Sequence, residues 1–254
     1  MARVAPREWP NKYFFVELFS GCEVWSNTLR KRGYAVYSFD TLQGESGNVL
    51  RPSVARLIGR LLASGGCLGV LAGVPCTSFS IAAGRRRPMR SKSDPLGLPG
   101  LPPNMQEKIQ LGNQLLAAAM KFFRICHKYR VPFLWENPAT SYQWHTPGAV
   151  AMDKWPGVED VITHYCGWGT RWRKATRFRC FMLPTCHELV KKCRSRNGIC
   201  SFSQKHHITL EGKDPNGLNW TARAAAYPQP LATQMGHVFE EAAFFKVFAD
   251  LAGN

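Results

Sequence analysis

The apolar positions along the chain fall into a repeating order of short runs and helical stripes. Residues 13–19 (Tyr-Phe-Phe-Val-Glu-Leu-Phe) are almost continuously hydrophobic and are closed by Ser20-Gly21, the pattern of a buried strand. A short helix is predicted over 25–32, stopped by Gly33. Residues 35–39 alternate small and aromatic side chains and end at Asp40, which predicts a second strand. Pro52 opens a helix to about Ala63, and the apolar run 67–72 is the next strand. Strand, glycine turn, helix, strand and terminal acid make the first half of a nucleotide-binding βαβ unit. Farther on, Ile109, Leu115, Leu116, Met120 and Phe123 form the core stripe of a long amphipathic helix over 105–129. Residues 132–135 and 158–165 read as strands, and 236–251 as a closing helix. This alternation predicts an α/β fold with a mainly parallel, doubly wound, Rossmann-like sheet.

Three stretches break the order. Residues 84–104 hold Arg85-Arg86-Arg87-Pro88-Met89-Arg90 and then a Pro-Gly-rich segment; an irregular connection of that length usually serves a function or is disordered. Residues 167–179 interleave Trp168 and Trp172 with Arg171, Arg173, Lys174, Arg177 and Arg179, so phosphate contact is expected there, with core packing of the tryptophans as the alternative. Residues 180–222 are polar, cysteine-rich and irregular. The expected organisation is a main body over 1–179, a small module over 180–222 and a return to the main body over 223–254.

Composition narrows the class. The 254 residues are 45% hydrophobic, with 8 Trp and 15 Phe, which is enough for one large domain. A formal net charge of +16 and a pI near 9.8 suit a polyanionic partner such as nucleic acid. No apolar run approaches the roughly 20 residues of a membrane span, and the start of the chain has no secretory core. Nine cysteines, an odd number without a secretion signal, point to a reducing intracellular compartment and to catalytic, metal-bound or buried thiols. A monomer is expected.

Chemistry concentrates at three predicted strand ends. The first carries Leu18-Phe19-Ser20-Gly21-Cys22-Glu23, another Gly73-Val74-Pro75-Cys76, and a third Glu136-Asn137. Open α/β sheets keep their ligands at the carboxyl ends of strands. A lone buried thiol there is usually structural. A thiol on one strand end and a carboxylate on another, above a nucleotide-type unit, is much rarer by chance.

Taken in order along the chain, these motifs resemble the cytosine-C5 methyltransferase family. Glu17-Leu18-Phe19-Ser20-Gly21 resembles its cofactor loop, Asp40 its ribose-binding acid, and 73–80 (Gly-Val-Pro-Cys-Thr-Ser-Phe-Ser) its nucleophile motif. Glu136-Asn137 resembles the motif that holds the target base, Arg171-Trp172-Arg173 the end of the arginine motif, and the Tyr227-Pro228 region the closing motifs. Glu23 stands where the cofactor loop usually has another glycine, Asn48 where an aspartate is usual, Pro138 where a small apolar residue is common, and Gly169 in the place of a glutamine. The resemblance implies S-adenosylmethionine bound by Leu18–Glu23, Asp40, Thr41, Asn48, Val49, Gly73 and Pro75. It implies DNA as partner, with RNA as the alternative, and a small target-recognition insertion in the cysteine-rich segment. A catalytically silent nucleic-acid-binding module of the same fold is the reading from another class.

In that reading Cys76 attacks C6 of a flipped-out cytosine, because a thiol offers some thiolate near neutral pH and is intrinsically nucleophilic. Glu136 holds or protonates N3, Arg173 holds O2 with Arg171 in support, and Asn137 belongs to the same motif. Ser80, Arg85, Arg86, Arg87, Arg90, Lys174 and Arg177 are the expected phosphate contacts.

Cys186, Cys193, Cys200 and His207 recur every seven residues. On one helix such neighbours stand about 10.5 Å apart, too far to share an ion. Asn197-Gly198 and Ser201–Ser203 predict loops, on which four ligands can converge on a zinc ion. His206 or Cys180 could substitute, and unligated thiols are the alternative.

Overall fold

The computed structural model describes residues 12–81 and 88–252. A six-stranded mixed sheet runs through the molecule: β1 Phe14–Leu18, β2 Ala35–Phe39, β3 Cys67–Ala72, β4 Phe133–Pro138, β5 Val158–His164 and β6 Ala175–Phe181, in the spatial order β2-β1-β3-β4-β6-β5. Strands β1 to β4 are mutually parallel, and β6 runs antiparallel between β4 and β5. The sheet is therefore mixed, not simply parallel, and its architecture is consistent with a Rossmann-like fold. Strand order reverses at β1, which puts the ends of β1 and β3 side by side at the crevice where such sheets bind ligands.

Helices cover both faces. On one, α2 (Pro52–Ala63) and α3 (Pro103–Lys128) bury Val54, Ile58, Leu62, Leu116 and Phe123 against Val16, Val70, Phe133 and Trp135. On the other, α1 (Val24–Arg30) and α6 (Gln229–Ala252) pack Trp25, Leu29, Met235 and Phe239 against Phe15, Leu68, Leu71 and Leu134. The α3 stripe holds as expected, with Leu115 only partly buried. Two short helices, α4 (Pro147–Met152) and α5 (Trp220–Arg223), complete the set. Among the described residues no helix is long and apolar enough to cross a membrane.

Strand β6 corrects the reading of 167–179 as a basic surface segment. Phe178 and Cys180 face the core, and Arg177 and Arg179 face the other side, where both pair with Asp160 on β5. Arg179 is wholly buried and also binds Asp153 and the Ala149 carbonyl. Leu183, Cys186 and Leu189 pack into the core beside α6, so the chain leaves the main body only after Leu189.

Candidate active site and thiol cluster

The chain leaves β3 through Gly73-Val74-Pro75 and reaches Cys76 at the carboxyl edge of the sheet. That loop is pinned from the neighbouring strand. Asn137 Nδ2 donates to the Val74 carbonyl at 2.6 Å, and Gln143 Nε2 to the Pro75 carbonyl at 2.8 Å. The Cys76 carbonyl in turn accepts the Phe79 and Ser80 amides at 2.9 and 2.8 Å, closing a tight turn. Asn137 thus holds the Gly73–Cys76 loop through its backbone, which explains an asparagine with no exposed surface at that position.

Glu136, the residue before it, is 7% exposed. Its Oε1 lies 3.4 Å from Lys174 Nζ, an ion pair not aligned as a hydrogen bond. Lys174 also donates to the Tyr165 hydroxyl at 3.3 Å, with its ammonium 4.7 Å over the Tyr165 ring. Burial opposes the Lys174 charge, yet Glu136, Tyr165 and Cys76 outweigh it and hold the ammonium above its ordinary range. For Cys76 the balance goes the other way: burial pushes the thiol up, Glu136 pushes it further, and Lys174 pulls it down. The three side chains form one electrostatic unit in which burial and then Glu136 raise the thiol while Lys174 lowers it.

Arg171 and Arg173 are exposed, and Arg173 Nε contacts His164 Nδ1 at 3.4 Å. Lys174, expected on phosphate, is the cation that reaches Glu136; its signal in the sequence was masked by four neighbouring basic residues. Arg177 is likewise not a free phosphate contact, because it is paired with Asp160 and lies 4.6 Å over Trp144.

Arg90 is the largest correction. It is 1% exposed and stacks 3.6 Å over Phe79. Its guanidinium donates to the Ser78 carbonyl and hydroxyl, the Pro95 and Ile109 carbonyls and Asn113 Oδ1, all within 3.1 Å. It ties the turn after Cys76 to the start of α3 and has no surface left for a phosphate. Burial lowers it only to about 10, so it stays charged at neutral pH. Ser80 is half-buried beside that turn, and Arg85, Arg86 and Arg87 lie outside the described residues.

At the end of β1 the loop 19–23 turns sharply. Phe19, Gly21 and Glu23 all have left-handed backbone, φ 57°, 51° and 56°. Glu23 occupies the conformation that a glycine adopts freely, and it pairs with Arg30 at 3.1 Å. Cys22 is exposed. Asp40 closes the loop by accepting the Gly21 amide at 3.0 Å and the Leu42 amide at 2.9 Å, with exposed Thr41 between them. A Cβ on Gly73 would stand 3.0 Å from the Tyr227 hydroxyl and 3.5 Å from the Phe19 carbonyl, so this glycine lets three segments meet. Asn48 turns its Oδ1 onto the Leu50 amide at 3.1 Å, and Val49 is core. Glu17, one turn below, accepts from the Ser26 amide and hydroxyl at the start of α1; burial raises it to about 7 against those bonds.

A second cluster lies past β5. Cys166, Cys193, Cys200 and His207 bring their ligand atoms within 4.8 Å of one another and could hold a metal ion. Three of the four expected ligands are present. Cys186 is not among them: it is fully buried in the core against α6, in contact with Cys180 of β6. Cys166, in the turn Tyr165–Trp168, stands in its place. His206 remains outside the cluster.

The chain matches no protein-family model and no curated protein.

Proposed function

We propose that the chain is an S-adenosylmethionine-dependent methyltransferase acting at C5 of cytosine in DNA. The observation that carries the proposal is the unit Cys76–Glu136–Lys174, a thiol, a buried carboxylate and a buried ammonium at adjoining strand ends. The finer fold reading, a methyltransferase sheet with a target-recognition insertion over 180–222, belongs to the same proposal.

A cytosine entering this unit presents N3 and its exocyclic amine to Glu136, whose Oε1 is ion-paired with Lys174 but accepts no aligned hydrogen bond. Lys174 is the cation for O2, the task the sequence assigned to Arg173. The Cys76 thiol gives its proton to the Glu136 carboxylate, its sulfur bonds to C6, and the ring electrons displaced from the C5–C6 double bond are accommodated as N3 takes that proton from Glu136. C5 is then nucleophilic. After methylation a base removes the C5 proton, the S–C6 bond breaks, and Cys76 leaves as thiolate while N3 returns its proton to Glu136. Neutralising Glu136 also removes the charge that adds to burial in raising the thiol, so entry of the base favours its own nucleophile.

The residues at the β1 and β2 ends fit the methyl donor. Gly21 leaves backbone open at the end of β1, and each Asp40 oxygen keeps a lone pair for ribose hydroxyls after the amides it accepts. Asn48 Oδ1 accepts the Leu50 amide and keeps one lone pair for an adenine amine, while Val49 offers only its backbone. When bound, S-adenosylmethionine supplies the methyl electrophile.

The net charge of +16 favours a nucleic-acid substrate, with Arg171 and Arg173 exposed just before Lys174 in the chain. The test is methyl transfer from labelled S-adenosylmethionine to duplex DNA and, in parallel, to structured RNA. The proposal expects label in DNA, located at C5 of cytosine and absent with Cys76→Ser. Label only in RNA, or label that survives Cys76→Ser, overturns it.

A further inference from the structure

The cluster Cys166, Cys193, Cys200 and His207 has the dimensions of a closed metal site. Cys193 Sγ lies 3.8 Å from Cys200 Sγ and 3.8 Å from His207 Nε2. A tetrahedron with Zn–S near 2.3 Å and Zn–N near 2.0 Å has edges of about 3.8 Å between sulfurs and about 3.6 Å from sulfur to nitrogen. A disulfide would need sulfurs about 2.0 Å apart.

The chain is built to hold the ligands there. Asn197 and Gly198 both take left-handed backbone, φ 48° and 77°, which turns Arg196 back to pair with Ile199 and sets Cys200 beside Cys193. The bridge Ile199–His206 and the His207 amide on the Gly198 carbonyl carry His207 to the same place. Polar hydrogens point at the sulfurs: the Ser201 amide and hydroxyl at Cys193, at 3.4 and 3.5 Å, and the Phe202 amide at Cys200, at 3.4 Å. Such donors stabilise thiolates more than thiols. Among the described residues, the buried apolar cluster of this segment is Cys166, Cys193 and Cys200 themselves.

We propose that this cluster binds one Zn2+ as a structural ion, and that the ion clasps residues 190–208 to the turn that positions Lys174. All four positions are protein ligands, which leaves none open for catalysis. Cys166 follows Tyr165, and Tyr165 takes the Lys174 carbonyl on its amide at 3.1 Å and the Lys174 ammonium at its hydroxyl. On the far side of the ion, the Cys193 amide donates to His164 Nδ1 at 2.7 Å, the His164 amide to the Lys191 carbonyl at 2.8 Å, and the Ile208 amide to the Arg171 carbonyl at 2.8 Å. The ion thus fastens the β5–β6 turn from both ends of the cysteine-rich segment. The metal site stands on its own geometry; the consequence for Cys76 rests on the proposed function.

The test uses the full chain. Metal analysis of purified protein is expected to find one zinc per chain, and cobalt exchanged into the site to give the intense visible bands of tetrahedral thiolate coordination. Cys166→Ser and Cys200→Ser lose the metal, and Cys186→Ser keeps it. Chelation of the wild-type chain, which needs no substitution, is expected to speed amide exchange at Tyr165 and through the 190–208 segment. It also shifts Cys76 alkylation to higher pH, because Lys174 no longer draws the thiol down while Glu136 still raises it. Protein that binds neither zinc nor cobalt overturns the site. Bound metal whose removal leaves amide exchange and the Cys76 profile unchanged overturns the clasp. Metal and exchange behaviour as expected, with no methyl transfer to any nucleic acid, contradicts the proposed function and leaves the clasp standing.

Discussion

Glu136→Gln is expected to move two properties of one site in opposite directions. The substitution keeps the shape of the side chain and removes its charge. Glu136 and Lys174 stand 3.4 Å apart. Their attraction, before desolvation, is about 1 kcal/mol at the dielectric of water and about 5 kcal/mol at an effective dielectric near 20. Even the lower figure approaches the roughly 1.4 kcal/mol that corresponds to one pK unit. Once Glu136 is neutral, the Lys174 ammonium acts on Cys76 against burial alone, and the carboxylate charge that adds to burial in raising the thiol is gone. Alkylation of Cys76 by iodoacetamide, followed by peptide mass against pH, is therefore expected to begin at lower pH in Glu136→Gln than in wild type. Methyl transfer should meanwhile fall by about 10²–10⁴-fold, the usual worth of a general acid, or about 3–5 kcal/mol of barrier. Stability drops by no more than the roughly 3–5 kcal/mol of a broken buried pair. Exposure by unfolding is separated by fully buried Cys67 and Cys126, which should stay unreactive. An alkylation profile that is unchanged or moves to higher pH refutes the electrostatic coupling.

Three further outcomes follow from the same structure. Glu17 has its carboxyl raised by burial to about 7 from 4.5. Between those pH values the native chain keeps a proton that the unfolded chain has released, so this group's contribution falls by about 3 kcal/mol as pH rises and levels off above 7; subtracting the urea stability of Glu17→Gln at each pH isolates that slope, and a flat difference contradicts it. Arg90→Leu leaves five acceptors without their donor and should cost about 3–5 kcal/mol, seen as a fall in Tm of roughly 6–20 °C; a Tm within a degree of wild type would place Arg90 outside the framework of the Cys76 turn. Gly69→Ala puts a Cβ 2.4 Å from Phe239 Cδ1, a ring with no room to move, so about 1–3 kcal/mol is lost by calorimetry while methyl transfer at low temperature persists.

Elements bounded by local chemistry were legible in the sequence. Pro52 and the Ser64-Gly65-Gly66 stop fix α2 and the start of β3, and both were read at their observed limits. Cys76 and Glu136 were legible because each follows an apolar run that can only be a buried strand. What escaped depends on contacts distant in sequence. The β6 strand was hidden because two of its residues are arginines, neutralised by Asp160 and Asp153 on other elements. Arg90 read as part of a surface run because nothing near it reveals five acceptors gathered from three segments. Cys166 escaped because its partners lie beyond β6, whereas the even spacing that suggested Cys186 is broken by the packing of that residue against α6.

The central claim is that Cys76 bonds covalently to a cytosine. It is tested most directly by incubating the protein with S-adenosylmethionine and duplex DNA carrying 5-fluorocytosine, where fluorine replaces the C5 proton and blocks release. Peptide mass of the trapped complex is expected to show methylated 5-fluorocytosine attached at Cys76, and no complex with Cys76→Ala. A complex mapped to another residue, or the absence of any complex on DNA that the protein methylates, contradicts the account.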